Sequence, residues 1–235
     1  SEISRAHEML KQCRQTYSDT PNLILADIGA GDMYFDNKLV ELFRGITIFA
    51  VDTGYTEQDK SPKENIIMKA DISSVDNDFL DGCIMMDVLE HVEQDDAFLN
   101  QIVSKIKPSG KLVLTVPAFQ SLFSQHDKFL RHYRRYDKTM MLKLIRQNGN
   151  LQVQKIHYFY TSLYFARWLQ KITIGSDRID SKDEGIGAWK YSDKNILTIL
   201  IKSVLNFDFA MNVFLSKIGI SLPGLSLLLI AEKKA

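Results

Sequence analysis

A short stretch near the amino terminus has residues suited to binding a nucleotide-type cofactor. Four apolar residues at 23–26 lead to Asp27, and Gly29 and Gly31 flank Ala30 shortly after it. Glycines at such a turn let the backbone adopt conformations closed to other residues and let a ligand approach it closely. The Asp27 carboxylate can accept hydrogen bonds from a cationic group. The pattern predicts a buried strand, a tight turn and the start of a helix beside a ligand.

Two further acidic residues follow predicted strands. Asp52 ends the apolar run 46–51, and Asp71 ends the run 66–70. In a doubly wound sheet, ligands bind beyond the carboxyl ends of the strands, so these acids would lie near Asp27. A dinucleotide fingerprint would need a third glycine, but Tyr34 occupies that position. A nicotinamide-dependent oxidoreductase, using NAD(P), is therefore the weaker alternative.

Five segments occur in the order typical of one enzyme family. They are Asp-Ile-Gly-Ala-Gly at 27–31, Val-Asp at 51–52, Ala-Asp-Ile at 70–72, Met-Asp-Val-Leu-Glu-His at 86–91 and Lys-Pro-Ser-Gly-Lys at 107–111. Over about residues 20–160 the chain resembles the class I S-adenosylmethionine-dependent methyltransferases of the type 11 and 12 groups. The resemblance implies S-adenosylmethionine as the cofactor.

The same resemblance implies a set of cofactor-binding residues. Asp52 would hold the ribose hydroxyls, because one carboxylate can accept two hydroxyl hydrogen bonds. Asp71 and Ile72 would bracket the adenine, and Met86 and Asp87 would meet the amino end. The full set is Asp27, Gly29, Ala30, Gly31, Asp52, Thr53, Asp71, Ile72, Met86 and Asp87.

The residues after the fifth strand point to the acceptor side. Val-Pro-Ala at 116–118, His-Asp at 126–127 and Arg-Arg-Tyr at 134–136 resemble a subgroup of the same family. His126 is the candidate catalytic base, because histidine titrates near neutral pH. Arg134, Arg135 and Tyr136 are candidate acceptor-binding residues. The alternative is structural, with Asp127 paired to one of these arginines.

A metal site is a further alternative. Asp87, Glu90 and His91 have side chains that can bind a divalent ion, and some methyltransferases of polyprenyl catechols or RNA ends use a similar group. The competing interpretation is that Glu90 and His91 cap the next helix. We expect no metal.

The elements that must position these residues alternate between strands and helices. Strands are predicted at 23–29, 46–51, 66–70, 82–86, 111–116, 151–160 and 226–231, and helices at 2–17, 33–44, 94–107 and 138–147. The pattern predicts an α/β fold with a doubly wound, mostly parallel seven-stranded, Rossmann-like sheet. We expect one methyltransferase domain over 1–235, with an N-terminal helix (1–20) over the cleft and a helical insert at 161–222.

Composition limits the partners. Lys plus Arg and Asp plus Glu both number 29, so no basic surplus suggests nucleic acid binding. Cys13 and Cys83 match no metal spacing and are expected as reduced cytoplasmic thiols.

The aromatic-rich insert is interpreted as packing on the sheet, a lid, a homodimer face or a peripheral membrane contact. The predicted activity is methyl transfer to oxygen or nitrogen of a small-molecule, glycan or lipid-linked acceptor. A non-catalytic cofactor-binding subunit is the remaining alternative.

Overall fold

A computed structural model describes residues 2–18, 20–56, 58–59, 61, 63–174, 203–205, 207–208, 211–212, 214–215 and 219–235. In this part of the chain seven strands form one sheet. The strands are β1 (Ile24–Ile28), β2 (Thr47–Val51), β3 (Ile66–Lys69), β4 (Leu80–Met86), β5 (Ile106–Pro117), β6 (Leu151–Phe159) and β7 (Ser226–Lys233).

The strand order is β3-β2-β1-β4-β5-β7-β6. Neighbouring strands from β3 to β5 pair in parallel, whereas β7 is antiparallel to both β5 and β6. This confirms the predicted doubly wound, mostly parallel fold. The order reverses between β1 and β4, so a crevice opens beyond the carboxyl ends of these two strands.

Six helices of the described chain are α1 (Glu2–Tyr17), α2 (Tyr34–Leu42), α3 (Asp95–Lys105), α4 (Gln125–Phe129), α5 (Lys138–Asn148) and α6 (Thr161–Ile174). Local sequence explains the ends of α5. The Asp137 side chain accepts a hydrogen bond from the Met140 amide, which caps the amino end. Gly149 adopts the left-handed conformation that commonly ends a helix.

Two apolar clusters cover the two faces of the sheet. Successive residues of β4 alternate between them: Cys83 and Met85 belong to one cluster and Ile84 to the other. Leu99 of α3 belongs to the first cluster, and Met9 of α1 belongs to the second. The sheet is therefore buried on both faces, which is why its strands are almost uniformly apolar.

The start of β5 differs from the prediction. The predicted helix 94–107 ends at Lys105, and Pro108 and Gly110, which are typical of a helix end, lie inside β5, which begins at Ile106. The pairing register with β4 shifts between Leu80 and Gly82, and Ser109 has a φ of 63°. A proline fits in a strand at such an irregularity, where the ladder is locally interrupted.

Replacing Gly82 with Ala is expected to destabilise the fold by about 3 kcal/mol. A Cβ atom there would lie 2.0 Å from the Tyr17 hydroxyl oxygen and 2.5 Å from the Lys111 carbonyl oxygen. The carbonyl belongs to the paired strand, and the Tyr17 hydroxyl donates a hydrogen bond to it. Denaturant titration checks this prediction, and an unchanged unfolding midpoint would contradict it.

The predicted insert is only partly described. Residues 175–202, including the polar interval 175–187, lie outside the described residues. The start of α6 is held by Asp208, whose carboxylate accepts hydrogen bonds from the Ser162 amide (2.9 Å) and hydroxyl (2.8 Å). No helix in the described chain combines the length and apolarity needed to cross a bilayer.

Candidate active site

A cavity of about 890 Å³ opens at the carboxyl end of the sheet. Its walls come from the turn after β1, the end of β4, the end of β5 and the segment 122–135. Arg5 of α1 also lines it. The volume is near the upper end of the range for pockets that hold a drug-sized ligand (~300–1,000 Å³), so the cavity is large for a single ligand.

The glycine turn forms one wall of the cavity. Gly29 and Gly31 have φ values of 78° and 53°, which favour glycine. The Gly31 amide donates to Asp52 Oδ2 (3.0 Å), and the Gly54 amide donates to Asp52 Oδ1 (2.8 Å). Asp52 therefore links the end of β2 to the glycine turn.

The structure brings together most of the predicted site residues. Those lining the cavity are Asp27, Gly29, Ala30, Gly31, Met86, Asp87, His126 and Arg135. Asp52 and Thr53 follow β2, and Asp71 and Ile72 follow β3, at the same edge of the sheet but outside the cavity lining. The Asp71 side chain accepts a hydrogen bond from the Ser73 amide, and Ile72 is buried.

Asp87 has partners within the chain. It forms an ion pair with Arg5 of α1, and its Oδ1 accepts a hydrogen bond from the Thr115 hydroxyl (3.2 Å). Its φ of 55° is unusual for a residue other than glycine. The ion pair fastens α1 beside the cavity.

Glu90, His91 and His132 form a compact cluster on the cavity wall. Each offers a potential ligand atom, and these atoms lie within 4.8 Å of one another. Neither carboxylate oxygen of the fully buried Glu90 has a hydrogen-bond partner in the described structure. Burial raises the pKa of Glu90 to about 7. Burial and the neighbouring His132 lower the pKa of His91, which favours its neutral form.

Asp127 organises the segment that carries His132. Asp127 Oδ1 accepts hydrogen bonds from Arg135 Nε (2.8 Å) and binds His132 Nδ1 (2.9 Å), while Oδ2 accepts from Arg135 Nη2 (3.0 Å) and the Ser124 amide (2.8 Å). Burial alone would raise the pKa of Asp127, but the hydrogen bonds from His132 and Arg135 hold it well below its usual range. Of the arginines weighed from the sequence, Arg135 is the partner of Asp127.

Arg134 and Tyr136 are held by the fold. Arg134 pairs with Asp95 (2.8 Å) and donates to the carbonyls of Val92 and Glu93. The Tyr136 hydroxyl donates to Asp95 Oδ2 (2.8 Å), and the ring is buried. Neither residue lines the cavity. These contacts explain a structural role, and acceptor binding by the two residues stays a prediction.

The rest of the cavity wall combines apolar and polar side chains. His126 is exposed and lines the cavity. Leu122, Phe123, Leu130 and Leu225 line it as well. Phe129 and Tyr133, in the same segment as Leu130, are 79% and 51% exposed.

Comparison with known proteins agrees with this geometry. A family model described as a methyltransferase domain matches residues 26–114, which contain the glycine turn and Glu90. A ubiquinone biosynthesis O-methyltransferase of Rickettsia bellii is 21% identical over 216 residues, covering 83% of this chain and 85% of the relative. The match over 26–114 identifies a methyltransferase domain, and the protein is an S-adenosylmethionine-dependent methyltransferase.

Solved structures show the same fold for this methyltransferase. An S-adenosylmethionine-dependent methyltransferase from Archaeoglobus fulgidus has a TM-score of 0.54 at 20% identity, covering 97% of this chain and 94% of its own. Phosphoethanolamine N-methyltransferase 2 of Haemonchus contortus, solved with S-adenosylmethionine, has a TM-score of 0.60 at 14% identity, covering 97% and 53%. The methyltransferase uses S-adenosylmethionine as its cofactor.

Arg5 and Glu90 line the cavity but were not proposed from the sequence as parts of the cofactor or acceptor site. Arg5 lies in a helix whose pattern indicates only its buried face, and Glu90 was considered only as a helix cap or a metal ligand. His132 belongs to a basic cluster with Lys128, Arg131, Arg134 and Arg135, which could hold a phosphate or carboxylate of the acceptor. The position of His132, two residues before the Arg-Arg pair, was the available signal, but only the fold brings it beside Glu90.

Proposed function

We propose that this methyltransferase acts on the oxygen of a hydroxyl group carried by an apolar small-molecule or lipid-linked acceptor. The observation that carries the proposal is the Glu90 carboxyl group. It is fully buried, has no hydrogen-bond partner in the described structure, and lines a cavity that Leu122, Phe123 and Leu130 also line. A buried acid of this kind is suited to accept a proton from a hydroxyl group.

The residues on the glycine-turn side fit the cofactor. Asp27 lines the cavity with a buried carboxylate oxygen that lacks a hydrogen-bond partner in the described chain. Gly29 and Gly31 leave the backbone of the turn accessible to the cofactor, and Met86 and Asp87 line the same cavity. We assign the ribose to Asp52 and the adenine to Asp71 and Ile72, with Thr53 beside the ribose.

Replacing Asp52 with Ala is expected to weaken S-adenosylhomocysteine binding at least tenfold, or about 1.4 kcal/mol. The change removes the proposed ribose acceptor and also the hydrogen bond that Gly31 donates. Isothermal titration calorimetry measures the effect. Asp59→Ala, at another exposed acid of the loop after β2, is the control. Equal affinity in both variants would contradict the ribose assignment.

The chemistry asks little of the protein beyond alignment and proton removal. Bound S-adenosylmethionine supplies a methyl group already activated on a positively charged sulfur. The cavity walls align the acceptor and exclude water. Glu90 takes the hydroxyl proton as the oxygen gains its methyl group, and later releases that proton to solvent. His126, the base predicted from the sequence, stays the alternative.

Two observations favour an apolar hydroxyl acceptor. The cavity wall contains Leu122, Phe123 and Leu130, and these side chains suit a ring or an alkyl chain better than a sugar. The Rickettsia bellii relative is named as an O-methyltransferase. An amine acceptor is the second candidate, since the Haemonchus contortus structure is of an N-methyltransferase.

We propose that no metal is required. Glu90, His91 and His132 are close enough to share one divalent ion, but Asp87, the first acid of the sequence pattern, is paired with Arg5. Activity should therefore survive dialysis against a chelator. Loss of activity that Mg²⁺ or Zn²⁺ restores would contradict this part of the proposal.

The larger organisation also stays a proposal. We propose one methyltransferase domain, with α1 over the cleft and the segment 161–222 as a lid. Homodimer or membrane-surface contacts of that segment depend largely on residues outside the described ranges.

A series of para-alkyl phenols tests the acceptor class. With methyl-labelled S-adenosylmethionine, we expect labelled methyl ethers and a lower KM as the alkyl chain lengthens. The matched para-alkyl anilines should accept methyl more slowly. Transfer to the anilines alone, or to a hydrophilic glycoside in preference to every phenol, would contradict the proposal.

A further inference from the structure

Two carboxyl groups are buried against each other beneath the glycine turn. Asp27 is the last residue but one of β1 and is 2% exposed, and Asp36, in the first turn of α2, is 0% exposed. The two side chains interact directly. Only Asp27 lines the cavity, so Asp36 lies behind it.

The surroundings supply no compensating positive charge. The ionisable groups that interact with the pair are Asp32, Asp52, Tyr55, Cys13 and Cys83. Within the described residues, no lysine, arginine or histidine forms an ion pair with either acid, and one Asp27 oxygen and both Asp36 oxygens lack a hydrogen-bond partner.

Two adjacent buried carboxylates cannot both be ionised at low cost. Their mutual repulsion and the loss of hydration both favour keeping a proton on the pair. A retained proton also supplies the missing hydrogen-bond donor, since a carboxylate can only accept. Burial raises the pKa of Asp36 to about 7 and raises that of Asp27 well above its ordinary value.

We propose that Asp36 is a positioning residue: the shared proton, which Asp27 donates to Asp36 in the ligand-free protein, passes to Asp36 when the cofactor binds, and Asp36 then donates it as a hydrogen bond to Asp27. Asp27 is then the carboxylate that meets the cationic end of the cofactor. The pair carries one proton in total, whether that proton lies on Asp27 or on Asp36. The inference rests on the proposed assignment of Asp27 to the cofactor site.

The arrangement makes cofactor binding depend on pH. A second proton on the pair neutralises Asp27, and the cofactor's ammonium group must displace that proton to bind. Affinity should therefore fall as pH decreases below about 7 and be nearly constant from pH 7 to 8. An amide at position 36 would still donate a hydrogen bond to Asp27 but could not carry the negative charge that favours protonation of the pair.

The test compares S-adenosylhomocysteine binding by the wild type, Asp36→Asn and Glu41→Gln between pH 6 and 8. Glu41 is an exposed acid of the same helix, so Glu41→Gln is the matched control. We expect the wild type and Glu41→Gln to bind about tenfold more weakly at pH 6 than at pH 8. Asp36→Asn keeps the burial of Asp27 but removes the second acid, so its affinity should change less over this range than that of the wild type and lie within about twofold of the wild-type affinity at pH 8.

Two results for Asp36→Asn would overturn the inference: a pH profile equal to that of the wild type, or lost binding at every pH in a folded variant. A second measurement covers a variant that fails to fold. Calorimetry of the wild type in buffers of different ionisation enthalpy should show about one proton released on binding at pH 6 and almost none at pH 8. No release at pH 6 would also overturn it. A wild type that binds no S-adenosylhomocysteine at any pH would instead contradict the cofactor assignments.

Discussion

Replacing Glu90 with Gln is expected to lower turnover about 100-fold or more and to change the Kd for S-adenosylhomocysteine by less than about twofold. Proton transfer by a positioned side chain contributes roughly 10²–10⁴-fold to rate. Gln keeps the size of the side chain but cannot accept the hydroxyl proton. The glycine turn, which we assign to the cofactor, is unaltered. Single-turnover kinetics with labelled cofactor separates the chemical step from binding.

His126→Gln is the matched comparison for Glu90→Gln. His126 also lines the cavity but is exposed, and water is available to replace it. We expect a loss of less than about tenfold, below the usual range for removal of a general base. A larger loss for His126→Gln than for Glu90→Gln would reinstate the base predicted from the sequence.

Replacing Asp127 with Ala is expected to destabilise the protein by about 3–5 kcal/mol. The carboxylate is fully buried and binds Arg135, His132 and Ser124. Without this carboxylate the partly buried Arg135 guanidinium has lost its charged partner. That uncompensated charge causes most of the loss of stability. Chemical denaturation at pH 7 measures the difference in the free energy of unfolding.

Asp137→Ala provides the scale for this loss. Asp137 caps α5 through one hydrogen bond to the Met140 amide (2.8 Å), so its removal should cost only about 1 kcal/mol. Equal losses for the two variants would mean that the Asp127 network contributes no more than a helix cap.

The Asp127 network also predicts an acid sensitivity. Because the pKa of Asp127 is depressed in the folded protein, its contribution is present in full above the ordinary aspartate pKa of about 3.9. The contribution is lost as pH falls below that value toward the folded-state pKa. Asp127→Ala should therefore lose less stability than the wild type between about pH 5 and pH 2.

Most of the sheet could be predicted from sequence because its strands are short apolar runs separated by clear turn residues. The β1 strand followed by Gly29 and Gly31, and the helix from Asp137 to Gly149, are determined by contacts within a few residues. Such local signals can be recognised in the sequence without knowledge of the tertiary fold.

The parts that escaped prediction depend on contacts far apart in the chain. Pairing of β7 between β5 and β6 is set by tertiary packing, since an apolar run does not specify its neighbours. Pro108 and Gly110 resemble a helix stop until β4 is placed beside them. Glu90 and His132 are 42 positions apart and become neighbours only when the segment 122–135 folds over the sheet edge.

The role of Glu90 as the base for a hydroxyl acceptor can be tested by supplying an acceptor that needs no base. An electron-poor alkyl phenol is already ionised at the assay pH, whereas the parent alkyl phenol is not. We predict that Glu90→Gln methylates the parent phenol about 100-fold more slowly than the wild type but methylates the ionised phenol within about threefold of the wild-type rate. An equal loss of rate on both phenols would contradict the account.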